Sequence, residues 1–455
     1  MGKPNQHRLS IKELWQGWKT DEVFGKVIRN TGYLFSSNTI TMVISSAQGV
    51  IAALILGPSA YGVLGIIATL ATSINSFCSF RMSELVVKFS GQDLALGQKE
   101  RAAAVIKVAT IVESITSMIA FLLLVLLAPL AAHYLLHDTT TIPWIVLYGV
   151  YILFCLFPET STAILQLGNH FRTQALINLI QSLITAGGIL AAYLLGGGVY
   201  EILLAYLAGK LFNGMSLMAM AVYYAPGLLG QGWWKASLKL IPDKWSLARF
   251  AVSTNLSGTI NLFIRDSEVM WVGLFTNTTM AGYYKFAWNV ISLVFKPVAS
   301  MVSTSFPQIN KSIAQREWAP LKRLLRRTSQ LVFVWAAAAA VGLALVGPWV
   351  LSWLKDGAYQ PSFWAMLIML AGMAVPNIFY WNRPLLLAFG RPNYPLIVMI
   401  IVGGIRIGLM IWLVPQFGYL AQAALYSLYF IVSTMLILRE ALSHMHQVQL
   451  EEIPA

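Results

Sequence analysis

The sequence predicts an all-α integral membrane protein of about twelve transmembrane helices, arranged as two parallel six-helix lobes around a V-shaped central cavity. Three observations predict it. Of 455 residues, 57% are hydrophobic and only 11% charged, with a mean hydropathy of +0.67, which is too apolar for a water-soluble globule. Apolar runs of roughly 20 residues, the length that crosses a bilayer as a helix, recur along the chain without the alternation of a barrel strand. Finally, a shift of 220 residues brings Arg29, Ser37, Thr39, Ile40 and Gly62 onto Arg249, Ser257, Thr259, Ile260 and Gly282. Six crossings return the chain to the same side, so the two halves share one orientation, a layout that favours binding between them and alternating access.

Residues 1–28 are polar and basic and carry no cleavable leader pattern. Ser10 and Glu13 have capping-box spacing, and Leu14, Trp15 and Trp18 share a helical face. That predicts a helix lying on the cytoplasmic leaflet. The N-lobe is expected over 29–223, with runs near 31–56, 61–80, 102–132, 143–165, 172–195 and 200–223. A linker at 224–248 repeats the mixture of Trp and Lys in GWWKASLKLIPDKW. The C-lobe is expected over 249–441, with runs near 249–275, 281–305, 329–354, 361–382, 394–413 and 419–438, followed by a tail, 442–455. Cys78 and Cys155 fall inside apolar runs and read as small buried hydrophobes. Gly187, Gly188, Gly403, Gly404 and Gly408 are expected either to let helices pack closely or to act as hinges.

With the N-terminus inside, cytoplasmic segments hold 24 Lys and Arg and the outer loops one, Lys355. This bias places both termini in the cytoplasm and accounts for most of the net charge of +13 without nucleic acid. The outer loops are short and leave no room for an external domain. The inner segment 307–328 fits a solvated basic loop or an amphipathic helix.

Charge inside the runs carries the functional reading, because it is costly in hydrocarbon and marks polar pathways. The cations are Lys107, Lys210, Arg265, Lys285, Lys296 and Arg406, with Arg383 at the cytoplasmic end of the tenth run; the acids are Glu113, Glu159, Asp266 and Glu268. The excess of cations suits an anionic cargo. All seven cations are expected to line one cationic route for that cargo, with Lys296, Arg406 and Lys210, near mid-membrane by helical rise, as its central site, Arg265 and Lys285 toward the outer leaflet and Lys107 toward the inner. Arg265 and Glu268, three apart, have pairing distance on a helix, and Lys285 has the length to snorkel to headgroups. The acids serve as salt-bridge partners or, when buried, as proton or sodium coupling groups; Glu159, after Pro158 in a break of the fourth run, is the first candidate. Trp271, Tyr283, Tyr284, Trp288, Tyr380 and Trp381 offer faces for sugar rings or for helix packing. His133 and His137 lack a matching acid cluster, so no metal site is expected. Neither a phosphate-cradling loop nor a nucleophile elbow occurs, so no catalytic residue is assigned and no enzyme is expected.

The segments LGPSAYGVLGIIATL at 56–70, IRDSEVMWVGLFTNTTMAGYYKFAWNV at 264–290 and FPQI at 306–309 resemble the multidrug/oligosaccharidyl-lipid/polysaccharide exporter superfamily, and within it the Wzx-type polysaccharide flippases. Asp266, Gly273, Phe275, Gly282, Tyr284 and Ala287 occupy the second motif. The resemblance implies movement of an undecaprenyl-diphosphate-linked oligosaccharide from the cytoplasmic to the outer leaflet of a bacterial inner membrane. Polysaccharide-assembly proteins would be its protein partners. The chain has no room for the two further helices of the peptidoglycan-precursor flippases. A multidrug or small-solute exporter of the same fold, and a membrane-embedded glycan polymerase or acyltransferase, are the alternatives; an exporter of cationic drugs would show more acids, and an enzyme a larger outer loop.

Overall fold

A computed structural model describes residues 41, 43–80, 82–241, 244–262, 267–391 and 393–451. The expected N-terminal surface helix, Arg265 and Asp266 lie outside the described residues. The first described helix, α1 (Val43–Leu56), ends in a turn at Gly57, whose φ of 78° favours glycine. Pro58 then starts α2 (Pro58–Cys78), where its missing N–H is no loss. Next come α3 (Met82–Ala95) and α4 (Lys99–Ala131), the latter extended by a π-helical turn to Leu136. Helices α5 (Ile142–Phe154) and α6 (Pro158–Leu167) are two pieces of the fourth run, broken before Pro158 as expected. Helices α7 (Phe171–Leu194) and α8 (Val199–Leu229) complete the first half.

In the second half, α9 (Lys244–Asn261) and α10 (Glu268–Phe275) precede the long α11 (Thr278–Ala314). Then follow α12 (Trp318–Trp353), α13 (Ser362–Ile378), the short α14 (Asn382–Ala388) and α15 (Asn393–Glu451). The backbone of α15 leaves helical geometry at Gly418 (φ 66°, ψ −153°). Arg391, just before α15, binds Glu440 at 2.6 Å, so α15 doubles back on itself at Gly418. The basic segment 307–328 is neither a loop nor one helix: α11 runs on to Ala314 and α12 begins at Trp318, leaving a tight turn with Arg316 at φ 57°.

Eight helical stretches among the described residues are long and apolar enough to cross a membrane, against the twelve expected. Within the expected spans near 249–275 and 281–305 the described residues form α9, α10 and part of α11, which are not among the eight and carry Glu268, Lys285 and Lys296. Helices α3–α8 pack chiefly on one another, and α12–α15 do the same; the halves meet where α2 lies along α11, its main partner, where α10 touches α2 and the π-helical turn after α4, and where α9 touches α2 and α3. The outward faces are apolar, with Leu126, Leu183, Leu345 and Trp349 more than half exposed. That pattern is stable only when the surrounding solvent is lipid. Gly188 packs against Ala205, whereas Gly187, Gly404 and Gly408 have open space where a Cβ would go and bring no helices together.

Candidate functional site

The 220-residue repeat reappears as a contact. A Cβ on Gly62 would lie 1.8 Å from the Thr278 carbonyl oxygen, and one on Gly282 would lie 1.8 Å from the Pro58 carbonyl oxygen. Pro58 and Thr278, like Gly62 and Gly282, are 220 apart, so α2 and α11 cross pseudo-symmetrically, each glycine admitting the other helix's backbone. Ser59 and Thr278 share a hydrogen bond between hydroxyls at 3.1 Å. From this crossing one stripe of α11, Gly282, Lys285, Asn289 and Lys296, runs along the first half at helical spacing. Lys285 lies against Gly65, with Nζ 4.8 Å from the Tyr61 ring centroid. Asn289 Nδ2 donates to Tyr61 Oη, and Lys296 Nζ donates to Ser46 Oγ on α1. At the end bearing the basic loops, Asn255 Nδ2 of α9 donates to the carbonyls of Phe77 and Ser79.

Behind Lys296 the second half encloses a cavity of about 770 Å³. Among the described residues its cations are Lys296 and Arg383, and none of its lining side chains is Asp or Glu. Trp288, Tyr380, Tyr429 and Phe430 supply aromatic faces, and Asn377, Asn382, Asn393, Ser292, Ser433 and Thr434 supply amides and hydroxyls. Local sequence builds this wall. Pro376 sits near the end of α13, the helix stops at Ile378, and α14 restarts at Asn382. The intervening turn lets Tyr380 reach Ser305, hydroxyl to hydroxyl at 2.7 Å, while Arg383 stays exposed. Cations hold phosphate oxygens, and aromatic faces with fixed amides hold sugar rings.

A second cavity, of about 580 Å³, opens beside α2 and reaches Leu262 of the second half. Thr69, Thr72, Ser73 and Ser76 line it at i, i+3, i+4 and i+7, joined by Ser79, Glu84 and Glu159. The stripe stands in the sequence as ATLATSINS, but hydroxyls can bond their own helix's carbonyls, so in an apolar run they do not by themselves signal a site. Glu159 accepts a hydrogen bond from Ser79 Oγ at 2.9 Å. Glu113, buried behind it, accepts from the N–H groups of Glu159 (2.8 Å) and Thr160 (2.9 Å) and from Thr160 Oγ1 (2.6 Å). Those amides open α6, so Glu113 caps a helix broken inside the membrane.

The remaining charges are dispersed. Glu268 does the work of an anchor: Arg406 Nη2 reaches its two carboxylate oxygens at 2.5 and 2.6 Å, Gln422 Nε2 donates at 2.5 Å and Tyr284 Oη at 3.0 Å. All four residues are at most 5% exposed. Arg406 therefore sits in the packing of α10, α11 and α15, paired with an acid that sequence spacing had matched to Arg265. Lys107 Nζ donates to the Ala236 carbonyl at 3.1 Å and ties α4 to the linker. Lys210 Nζ lies 5.7 Å from the Tyr151 ring centroid within the first half. Of the seven cations read from the sequence, Lys296 and Arg383 share one cavity and Lys285 borders the same seam.

Residues 50–362, more than half of the chain, match the family of polysaccharide biosynthesis proteins. An inner membrane protein of Escherichia coli strain K12, YghQ, is 23% identical over 300 residues, covering 64% of this chain and 82% of its own length. The lipid II flippase MurJ in an inward closed conformation superposes with a TM-score of 0.70 at 14% identity, covering 93% of each chain. An inward-facing multidrug resistance transporter of the MATE family superposes at 0.64 and 13% identity, covering 91% of this chain and 96% of its own. With one family pattern across most of its length and one fold across nearly all of it, the chain belongs to the polysaccharide biosynthesis protein family and is built on the architecture of the MOP superfamily transporters.

Proposed function

We propose that the protein carries an oligosaccharide linked through a diphosphate to a polyprenyl lipid across a bacterial inner membrane, from the cytoplasmic to the outer leaflet, for surface polysaccharide assembly. Two lobes, 29–223 and 249–441, would rock about the α2–α11 seam. The observation that carries this reading is the cavity that combines Lys296 and Arg383 with aromatic and amide groups and, among the described residues, with no acid. A cation exporter has no use for that polarity, and MurJ, which shares the fold, is a lipid II flippase.

Binding of undecaprenyl diphosphate to the purified protein in lipid nanodiscs tests it. Wild type is expected to bind saturably, and Lys296→Ala/Arg383→Ala to bind at least about tenfold more weakly, since a charge-assisted hydrogen bond contributes about 1.5–3 kcal/mol. Arg406 is left out of this pair because Glu268 already neutralises it. Absence of binding by folded wild type would favour the exporter, and binding untouched by the substitutions would keep the function and dismiss the site.

The acid-bearing hydroxyl cleft is the place we assign to proton or sodium coupling, with Glu159 as the exchanging group and Glu113 as its structural support. Glu159→Gln is expected to preserve stability while removing the response of transport to an ion gradient. Glu113→Ala is expected to lower stability by about 1–3 kcal/mol, the cost of leaving buried amides unsatisfied. Thermal unfolding and gradient-driven transport, measured on both variants, would reject the division of roles if the two behaved alike.

A further inference from the structure

On the side that bears the basic segments, the two halves meet around a cavity of about 410 Å³ beneath the linker. Leu85 of α3, Val108 and Val112 of α4, Leu238 of the linker, and Leu247 and Val252 of α9 line it, and each described side chain on its wall is apolar. A water molecule needs about two to four polar partners to stay in such a space, so in a membrane its natural filler is hydrocarbon. The cavity is open to its surroundings, since Val252 is 57% exposed. The linker above it is held in place. Trp233–Lys235 and Leu238–Leu240 form two short 3-10 turns that pack on α4, and Lys107 Nζ of α4 donates to the Ala236 carbonyl at 3.1 Å. Fixed in this way, the turns present Lys235 and Lys239 as exposed side chains, with the exposed indole of Trp234 beside them. No Asp or Glu occurs between Glu201 and Asp243.

We propose that this cavity holds an acyl chain of an anionic phospholipid of the inner leaflet, with the lipid phosphate on Lys235 and Lys239, and that the lipid clamps the cytoplasmic ends of the two halves together. Three features select that occupant. The wall accepts an alkyl chain and would leave any polar group unsatisfied. The linker offers ammonium groups without acids among them, and such groups at a membrane surface draw anionic headgroups. Trp234 and Trp245 are exposed on either side of the linker lysines, and indoles favour the headgroup level. The clamp follows from the ownership of the wall. Helix α9 opens the second half and touches α2 and α3 of the first. Phe250 of α9 meets Phe89 of α3 edge to face, centroids 5.7 Å apart, with Lys88 Nζ 4.3 Å from the Phe250 centroid. An alkyl chain between Leu85, Val112 and Val252 adds apolar contact across this same joint, and loses it when α9 moves away. A ligand that fits one arrangement better than the other shifts the population toward it. Phosphatidylglycerol therefore favours the arrangement in which the cytoplasmic ends are together, whatever the cargo.

The test places the photo-crosslinker p-benzoylphenylalanine at Val252 of the full chain, with Leu183 as the lipid-facing control, in nanodiscs of phosphatidylcholine containing a minor share of phosphatidylglycerol. Capture of phosphatidylglycerol over phosphatidylcholine, relative to their bulk ratio, is expected to be about tenfold at Val252 and about one at Leu183. Lys235→Ala/Lys239→Ala is expected to abolish the enrichment and Lys235→Arg/Lys239→Arg to keep it, which separates lost charge from lost fold. Spin labels on Leu96→Cys/Arg249→Cys read the clamp: phosphatidylglycerol is expected to raise the short-distance population, and to leave it unchanged when the alanine pair is present. Equal enrichment at Val252 and Leu183, enrichment that survives the alanine pair, or a distance distribution indifferent to phosphatidylglycerol would overturn the proposal. Displacement of the captured lipid by undecaprenyl diphosphate would overturn it as well, because the cavity would then serve the cargo.

Discussion

Alanine at Gly62 or Gly282 is expected to cut transport at least tenfold while the protein remains folded and inserted. The obstacle is backbone: a methyl group at either position would meet a carbonyl oxygen at 1.8 Å, and neither α2 nor α11 can yield by turning a side chain. The helices must separate. Overpacking of this kind costs about 1–3 kcal/mol, and 2 kcal/mol shifts a two-state equilibrium about thirtyfold. In a carrier that alternates, that cost falls on the state in which these ends touch. The variant should therefore collect in the state where they are apart. Ser59→Cys/Thr278→Cys reports this directly, because the native hydroxyls are 3.1 Å apart: oxidative crosslinking should be efficient on its own and fall sharply when Gly62→Ala is added. Undiminished crosslinking together with normal transport would show that the glycines are ordinary packing residues.

The same crossing shows what a sequence can disclose. Gly62 and Gly282 were visible as a repeat because internal duplication leaves equal spacings, and a tight symmetric crossing preserves the residues that permit it. The break before Pro158 and the Leu-Gly-Pro turn were legible for a similar reason, since both are marked by a proline in the local sequence. Partnerships across helices were not. Glu268 has Arg265 three residues away and Arg406 138 away, and local spacing favours the former, whereas the fold brings the latter to 2.5 Å. Glu113 and Glu159, 46 apart, meet through a carboxylate and a backbone amide, a partner that side-chain chemistry does not announce. Lys296 and Arg383 were read as cations of the right sign, but only the α13–α14 turn puts them on one cavity.

Arg406→Ala is expected to be the most destabilising substitution in the chain, by about 3–5 kcal/mol, because it strands a buried carboxylate. Glu268 is 5% exposed, and without Arg406 its remaining donors among the described residues are the neutral Tyr284 and Gln422. Removing the acid as well should restore most of the loss: Glu268→Leu/Arg406→Met replaces a buried ion pair with apolar groups, an exchange that is often neutral or stabilising. Thermal unfolding in detergent of the two single variants and the double isolates the coupling between the residues. Two single losses that simply add in the double would refute the pairing. Transport by the rescued double variant then decides the role of Arg406. Normal transport makes the guanidinium a strut that fixes α10, α11 and α15 beside the seam. A stable double variant that neither transports nor binds undecaprenyl diphosphate would instead make Arg406 a ligand of the substrate, with Glu268 holding its charge in place until the diphosphate arrives.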